Sequence, residues 1–421
     1  MRAEQLLDVK PPMNPFRRPL HLFAAAALVF GVSAIAQQTP PKPVPNPPPT
    51  PAAVQVPVPP PPDVDAKAWV LMDYATGQVL ASKNPDQRVE PASITKVMTD
   101  YVVSAQLVAG KIHMTDPVTI SEHAWRSGGA GTDGSTSFLK LNSQVPLKDL
   151  LYGMIIQSGN DAAIALAEHT AGSEETFANL MNAYAKQLGM VNSHFVNASG
   201  YPADNHYSTA HDIAILSRAL IHDYPDDYAI SAIKEFTWNG IKQGNRNTLL
   251  WRDPSVDGIK TGHTAEAGFC LAASAKRGDA RMIAIVMGSS NEKARADAAI
   301  ALLNYGFRFY ETHKLYEVGK PLATPRLWKG EENQLPLGVQ QDVLVTVKTG
   351  DYDKLKAAMD VPATLIAPYK KGQQVGTLHI TEDGQTILDV PLVAMNDAPQ
   401  GGFFKRLWDS ILLWFHGSGK K

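Results

Sequence analysis

Cysteine is almost absent: Cys270 stands alone in a chain of 421 residues. No internal disulfide can form, so the fold stands without crosslinks. A lone thiol with no histidine pattern beside it reads as a small buried apolar residue rather than a nucleophile. An excess of charge of one sign is absent as well. Lys and Arg number 39 against 41 Asp and Glu, a net charge of −2. With no basic stripe interleaved with aromatics, this excludes a nucleic-acid partner. No apolar run is long enough to read as a membrane span. His-Glu-x-x-His is missing, and His206 and His211 are too isolated to form a site, which sets a metallopeptidase aside. No metal and no cofactor is expected.

What is present starts with an export signal. Arg17 and Arg18 precede an apolar run over 22–35, and Ala34-Ile35-Ala36 fits the small-x-small cleavage rule. Residues 1–36 therefore read as a signal peptide, and Met13, just ahead of the basic pair, is an alternative start to Met1. Residues 37–63 are dominated by proline and read as an extended spacer that cannot bury a core. The chain is expected to be secreted across an inner membrane.

The folded part opens with a hairpin turning at Thr76-Gly77, followed by Pro91 and a helix from Ser93 to Leu107 with apolar residues at helical spacing. Helical stretches over 147–156 and 162–170 flank Gln157-Ser158-Gly159-Asn160-Asp161, and further helices are expected over 177–188 and 209–222. A second hairpin turns at Gly278-Asp279, and 292–309 reads as helix. A hairpin at each end with helices between them predicts an α/β (α+β) domain over 64–312, an antiparallel sheet flanked by helices. Residues 313–396, with short apolar segments punctuated by Gly, Pro and Asp, predict a small all-β domain.

Three short motifs carry chemistry. A serine hydroxyl is a poor nucleophile until a base removes its proton. Ser93 and Lys96 lie three apart on a helix, on one face and within reach of each other. The pattern alone is weak, because it recurs at Ser137/Lys140, Ser231/Lys234, Ser290/Lys293 and Ser418/Lys421. Lys-Thr-Gly also occurs twice, at Lys260-Thr261-Gly262 and Lys348-Thr349-Gly350. Order and context discriminate. Ser93/Lys96 starts an apolar helix after a hairpin, Ser158-Gly159-Asn160 lies between two helices, and Lys260-Thr261-Gly262 is expected to open a hairpin strand. Lys348 falls in the all-β region with no serine motif behind it and reads as a loop lysine.

In that order, Ser93-Ile94-Thr95-Lys96, Gln157-Ser158-Gly159-Asn160-Asp161-Ala162, Asn245-Arg246-Asn247-x-Leu249-Leu250-Trp251 and Asp257-Gly258-Ile259-Lys260-Thr261-Gly262-His263-Thr264 resemble the low-molecular-mass penicillin-binding proteins that are D-alanyl-D-alanine carboxypeptidases. The resemblance implies a β-lactamase-like transpeptidase domain. It also implies a substrate, the peptidoglycan stem peptide ending in D-Ala-D-Ala, and β-lactams as covalent inhibitors. Ser93 would be the nucleophile and Lys96 its base, with neutral Lys96 favoured by the second ammonium, Lys260. Ser158 and Asn160 would relay protons and hold the substrate amide. Lys260, Thr261 and Gly262 would line the opposite strand. The oxyanion would lie between the N–H of Ser93 and that of His263. Arg295, at the start of a helix, would bind the terminal carboxylate. A serine β-lactamase or a DD-endopeptidase of the same superfamily is the alternative. No Glu-x-x-Leu-Asn lies between Asn160 and Lys260, and Ser158-Gly159-Asn160 stands where a class A β-lactamase has Ser-Asp-Asn. A non-catalytic cell-wall binding module would leave three intact motifs without a use.

The segment 397–421 is separate again. Phe403, Leu407, Ile411 and Phe415 recur at fours beside a row of Phe404, Trp408 and Leu412, with Lys405, Arg406, Asp409 and Ser410 opposite. That pattern predicts an amphipathic helix lying on a membrane surface, too short to span a bilayer. It places the protein in the periplasm, bound peripherally to the outer face of the inner membrane.

Overall fold

The structure is a computed structural model that describes residues 35–38, 58–129 and 131–418. The export signal up to residue 34 and most of the proline-rich spacer lie outside the described residues. The chain divides into two compact units, one built from 59–309 and the other from 310 onward together with Ile35–Gln38.

In the first unit the two expected hairpins merge into one antiparallel sheet. Its strand order is Val79–Lys83, Ala68–Asp73, Ala280–Ser289, Gly268–Arg277, Val256–Thr264. Gly77 turns the first hairpin with φ +75° and Gly278 the second with φ +60°, a region open to glycine. Successive residues of a strand face opposite sides. Ala68, Val70 and Met72 enter the large core that also holds Ile213 and Ala214 of the Ala210–Asp223 helix. On the other side, the helix Glu292–Phe309 comes so close at Gly306 that an added Cβ would lie 3.3 Å from Leu71 Cδ2 and 3.2 Å from Met282 Sδ.

The central helix, Lys96–Val108, is buried all round from Lys96 to Gln106. It enters through a 3₁₀ turn, Ala92–Thr95. The reading of 147–156 as one helix holds only in part. An α-helix over Leu147–Tyr152 widens to a π-helical turn over Gly153–Gln157 before Ser158. Such turns concentrate at functional sites.

Two expectations are corrected. Lys260-Thr261-Gly262 does not open its strand but lies toward its far end, because the chain already pairs with the neighbouring strand from Val256 onward. Lys348 is the exposed last residue of the strand Val343–Lys348, not part of a loop.

The second unit is the small all-β domain with a terminal helix. Its main sheet has the order Ile35–Gln38, Leu355–Pro362, Gln374–Glu382, Gln385–Ala394, Leu337–Gly338. A separate ribbon pairs Tyr310–Tyr316 with Val343–Lys348. Leu315, Val345, Met359, Leu378, Ile380 and Leu392 form its own core. The last element is the helix Phe403–Ser418.

Candidate active site

The 3₁₀ turn sets Ser93 one turn ahead of Lys96, and the lysine Nζ stands 3.0 Å from the serine Oγ. Ser93 is partly exposed whereas Lys96 is buried. Two further acceptors surround the same nitrogen, Asn160 Oδ1 at 2.6 Å and the Ser199 carbonyl at 2.7 Å. Neither of these oxygens can donate. A neutral amine with two N–H bonds committed to them presents its lone pair to Ser93 Oγ. Of the competing pairs, Lys140, Lys234 and Lys293 are all exposed and none shares this burial.

Burial pushes the Lys96 ammonium down to about 7, with the Arg246 charge adding to it and Asp161 and Glu174 opposing. Taking the lysine out of water is the leading cause, ahead of any neighbouring charge. Lys260 is also buried and held well below the usual lysine range, again by burial first and then by the charges on Lys96, Arg246 and Arg295. Its Nζ donates to the carbonyl of Thr261 at 3.1 Å.

Glycines bring the walls together. A Cβ at Gly262 would sit 3.0 Å from Pro91 O and 3.1 Å from Ile94 N, so the Lys-Thr-Gly strand packs directly on the turn that carries Ser93. Gly200, at φ +77°, would place a Cβ 1.9 Å from Ala92 O. Ser158 adopts a left-handed conformation with φ 70°, uncommon for a non-glycine residue and frequent at functional sites. Gly159 follows it where a Cβ would lie 2.1 Å from Ser137 Oγ and 2.9 Å from Asp161 Oδ1, so a side chain there would require both of these side chains to shift. Asp161 accepts from Thr136 Oγ1, Ser137 N, Leu139 N and Ala162 N, which holds the preceding loop against the Asn160 helix.

Ser93, Ser158, Asn160, Thr261, Gly262, His263 and Arg295 line one cleft of about 530 Å³. Arg295 is buried rather than a solvated helix arginine, donating to the Gly262 carbonyl at 3.2 Å and pairing with Glu292 at 3.3 Å. The His263 ring stacks on Phe269 with centroids 4.0 Å apart. The sequence reading gave no role to Arg246, Tyr201, Asp133 or Glu266, which share the cleft. Arg246 lies within the Asn245–Trp251 motif, which is the sequence signal for it. The Ser199 carbonyl is a main-chain group and leaves no side-chain signature. His206 and His211 stay apart, bonded to Thr95 and Asp86. Among the described residues no cluster of three or more His, Cys, Asp or Glu could hold a metal ion.

The family model described as D-alanyl-D-alanine carboxypeptidase matches residues 54–291, and that for the penicillin-binding protein 5 C-terminal domain matches 310–400. The chain belongs to the D-alanyl-D-alanine carboxypeptidase family. It is 47% identical to D-alanyl-D-alanine carboxypeptidase DacC of Escherichia coli (strain K12), over 84% of this chain and 89% of the relative. It is 46% identical to DacA of the same organism, over 84% of this chain and 88% of that protein. The crystal structure of penicillin binding protein 5 from Haemophilus influenzae superposes with a TM-score of 0.78 at 44% identity, covering 81% of this chain and 99% of that one. The family's two-part organisation accounts for both compact units.

Proposed function

We propose that Ser93 is the acylated nucleophile of this serine-type D-alanyl-D-alanine carboxypeptidase and Lys96 its general base. The observation that carries this is the Ser93–Lys96 contact of 3.0 Å, with Asn160 and Ser199 occupying the amine's other directions. Ser93 Oγ attacks the carbonyl carbon between the two terminal D-alanines of a stem peptide, and its proton passes to Lys96. The oxyanion takes hydrogen bonds from the N–H groups of Ser93 and His263. Collapse breaks the C–N bond, and the departing D-alanine amine takes up a proton delivered through Ser158. Water then hydrolyses the Ser93 ester. Arg295 and Thr261 receive the free carboxylate that distinguishes a chain end, and Lys260 supports the polar network from the facing strand. A β-lactam that mimics the D-Ala-D-Ala end acylates the same serine.

The same reading places an export signal over 1–36, a spacer over 37–63, the catalytic domain over 64–312, the β domain over 313–396 and a surface anchor over 397–421. No helix among the described residues is long and apolar enough to cross a membrane. The Phe403–Ser418 helix instead supports attachment to the outer face of the inner membrane. Phe404 and Trp408 are 84% and 62% exposed, while Asp409 on the opposite side is buried and accepts from Lys329 N at 2.6 Å.

The test is Ser93→Ala against Ser137→Ala. The first abolishes covalent labelling by a fluorescent penicillin and release of D-alanine, a loss on the order of a millionfold in turnover. The second keeps both. Labelling that survives Ser93→Ala overturns the assignment.

A further inference from the structure

The Ser199 carbonyl completes the environment of Lys96, yet it belongs to a turn with no regular structure of its own. Something must hold that oxygen in place. Asn197 Oδ1 accepts from Gly200 N at 2.7 Å, Ser199 N at 3.2 Å and Ser199 Oγ at 3.4 Å, while its Nδ2 donates to the Tyr201 carbonyl at 2.9 Å. One side chain therefore folds the main chain around Ser199. The start of the turn is fixed by His206. Val196 N donates to His206 Nδ1 at 3.2 Å, so Nδ1 carries the lone pair and the ring proton sits on Nε2. That Nε2 lies 2.8 Å from Thr95 Oγ1, in the residue that joins the nucleophile turn to Lys96. Thr99, one turn further along the same helix, donates to the Ala198 carbonyl at 2.6 Å.

We propose that Asn197 and His206 are positioning residues for the base, holding the Ser199 carbonyl where it takes one N–H of Lys96 and directs the amine toward Ser93. The proposal rests on Lys96 as the base. Neither residue lines the cleft, so both act through Ser199 rather than on substrate. Burial holds the His206 ring down at about 4, so it stays neutral and keeps an acceptor for Val196 N at neutral pH. Protonation would set an N–H against an N–H at that contact.

The experiment measures acylation by a chromogenic β-lactam at saturation, separating the acylation rate constant from the binding constant, with thermal unfolding recorded for each variant. Asn197→Ala removes three acceptor contacts, and His206→Leu removes both ring contacts. Each lowers the acylation rate constant about ten- to a hundredfold through misplacement of the base, with binding changed by no more than about twofold. Asn197→Asp keeps the oxygen acceptor, and His206→Gln can offer one acceptor and one donor from the same end group. Both retain most of the rate. Parental acylation in Asn197→Ala, equal losses in Asn197→Ala and Asn197→Asp, or a loss confined to binding overturns the proposal. Should His206→Leu not fold, the half-buried Asn197 pair decides alone. Lys96→Arg is assayed beside them: parental acylation there refutes the base assignment itself, whereas an inactive Lys96→Arg with an unaffected Asn197→Ala refutes only the positioning role.

Discussion

Asn160 Oδ1 lies 2.6 Å from Lys96 Nζ, closer than the 3.0 Å between that nitrogen and Ser93 Oγ. The amide oxygen thus has a stronger claim on the lysine than the serine oxygen has. That order suits a base. An ammonium satisfies three acceptors at once, whereas an amine keeps its two hydrogens on Asn160 and Ser199 and offers its lone pair to the serine. Deprotonation therefore changes the role of Nζ without moving it.

The rate of acylation should follow the ionisation of Lys96. With its pKa lowered by burial to about 7, roughly half the molecules carry the amine at that pH. Below it the ammonium dominates and each further pH unit costs about tenfold, while above about pH 8 the rate levels off. Arg246 lies among the causes that lower the value, so Arg246→Ala should move the limb to higher pH. Stopped-flow acylation by a β-lactam from pH 5.5 to 9 checks both, and a flat profile sinks the assignment.

Arg295 should matter more for peptide than for penicillin. Its guanidinium is buried beside the cleft and its charge is only partly answered by Glu292, which is itself exposed. Losing a charged hydrogen bond costs about 1.5–3 kcal/mol. Arg295→Ala is therefore expected to lower kcat/KM for a stem pentapeptide about ten- to a hundredfold, with a smaller effect on penicillin acylation; the bond to the Gly262 carbonyl is lost in both and accounts for whatever loss the two share. An unchanged peptide rate returns Arg295 to a packing role.

The order of the three motifs was legible because each couples a polar group to an apolar periodicity: Ser93 to the buried helix behind it, Asn160 to the helix it starts, Lys260 to a strand whose Ile259 is buried. What stayed hidden has physical reasons. The Ser199 carbonyl carries no side-chain identity, and the left-handed backbone of Ser158 cannot be inferred from a serine. Burial, the leading cause of the Lys96 shift, was not legible because it depends on all the elements that close over the helix, while a neighbouring charge can be read from a motif. The strand Leu355–Pro362 was missed since Lys356 and Asp360 interrupt its apolar pattern, although Met359 and Val361 fill the β-domain core. The hairpin Glu235–Trp238/Ile241–Gly244 was missed for a similar reason, since it is largely exposed and mixed in composition.

The final prediction concerns the terminal helix. Phe403, Phe404, Leu407, Trp408, Ile411, Trp414 and Phe415 are all exposed, too large an apolar face for a helix meant only for water. The opposite side is committed to the β domain: Asp409 accepts from Lys329 N, and Lys405 Nζ donates to the Glu331 carbonyl at 2.7 Å. Cutting the helix away would break those bonds along with any membrane contact, so substitution on the outer face is the cleaner test. Phe404→Ser with Trp408→Ser removes two of the most exposed aromatics and leaves Asp409 and Lys405 in place. Full burial of such a side chain is worth about 1.5–3 kcal/mol. At half burial the pair contributes about 1.5–3 kcal/mol together, so partition onto anionic phospholipid vesicles should weaken roughly ten- to a hundredfold. Hydrolysis of a soluble pentapeptide should be unchanged, since neither residue belongs to the catalytic unit. Co-sedimentation with vesicles and the soluble assay are run on the same preparation. Undiminished vesicle binding in the double variant refutes the surface anchor. A fall in soluble activity or in thermal stability shows instead that the aromatic row packs on protein.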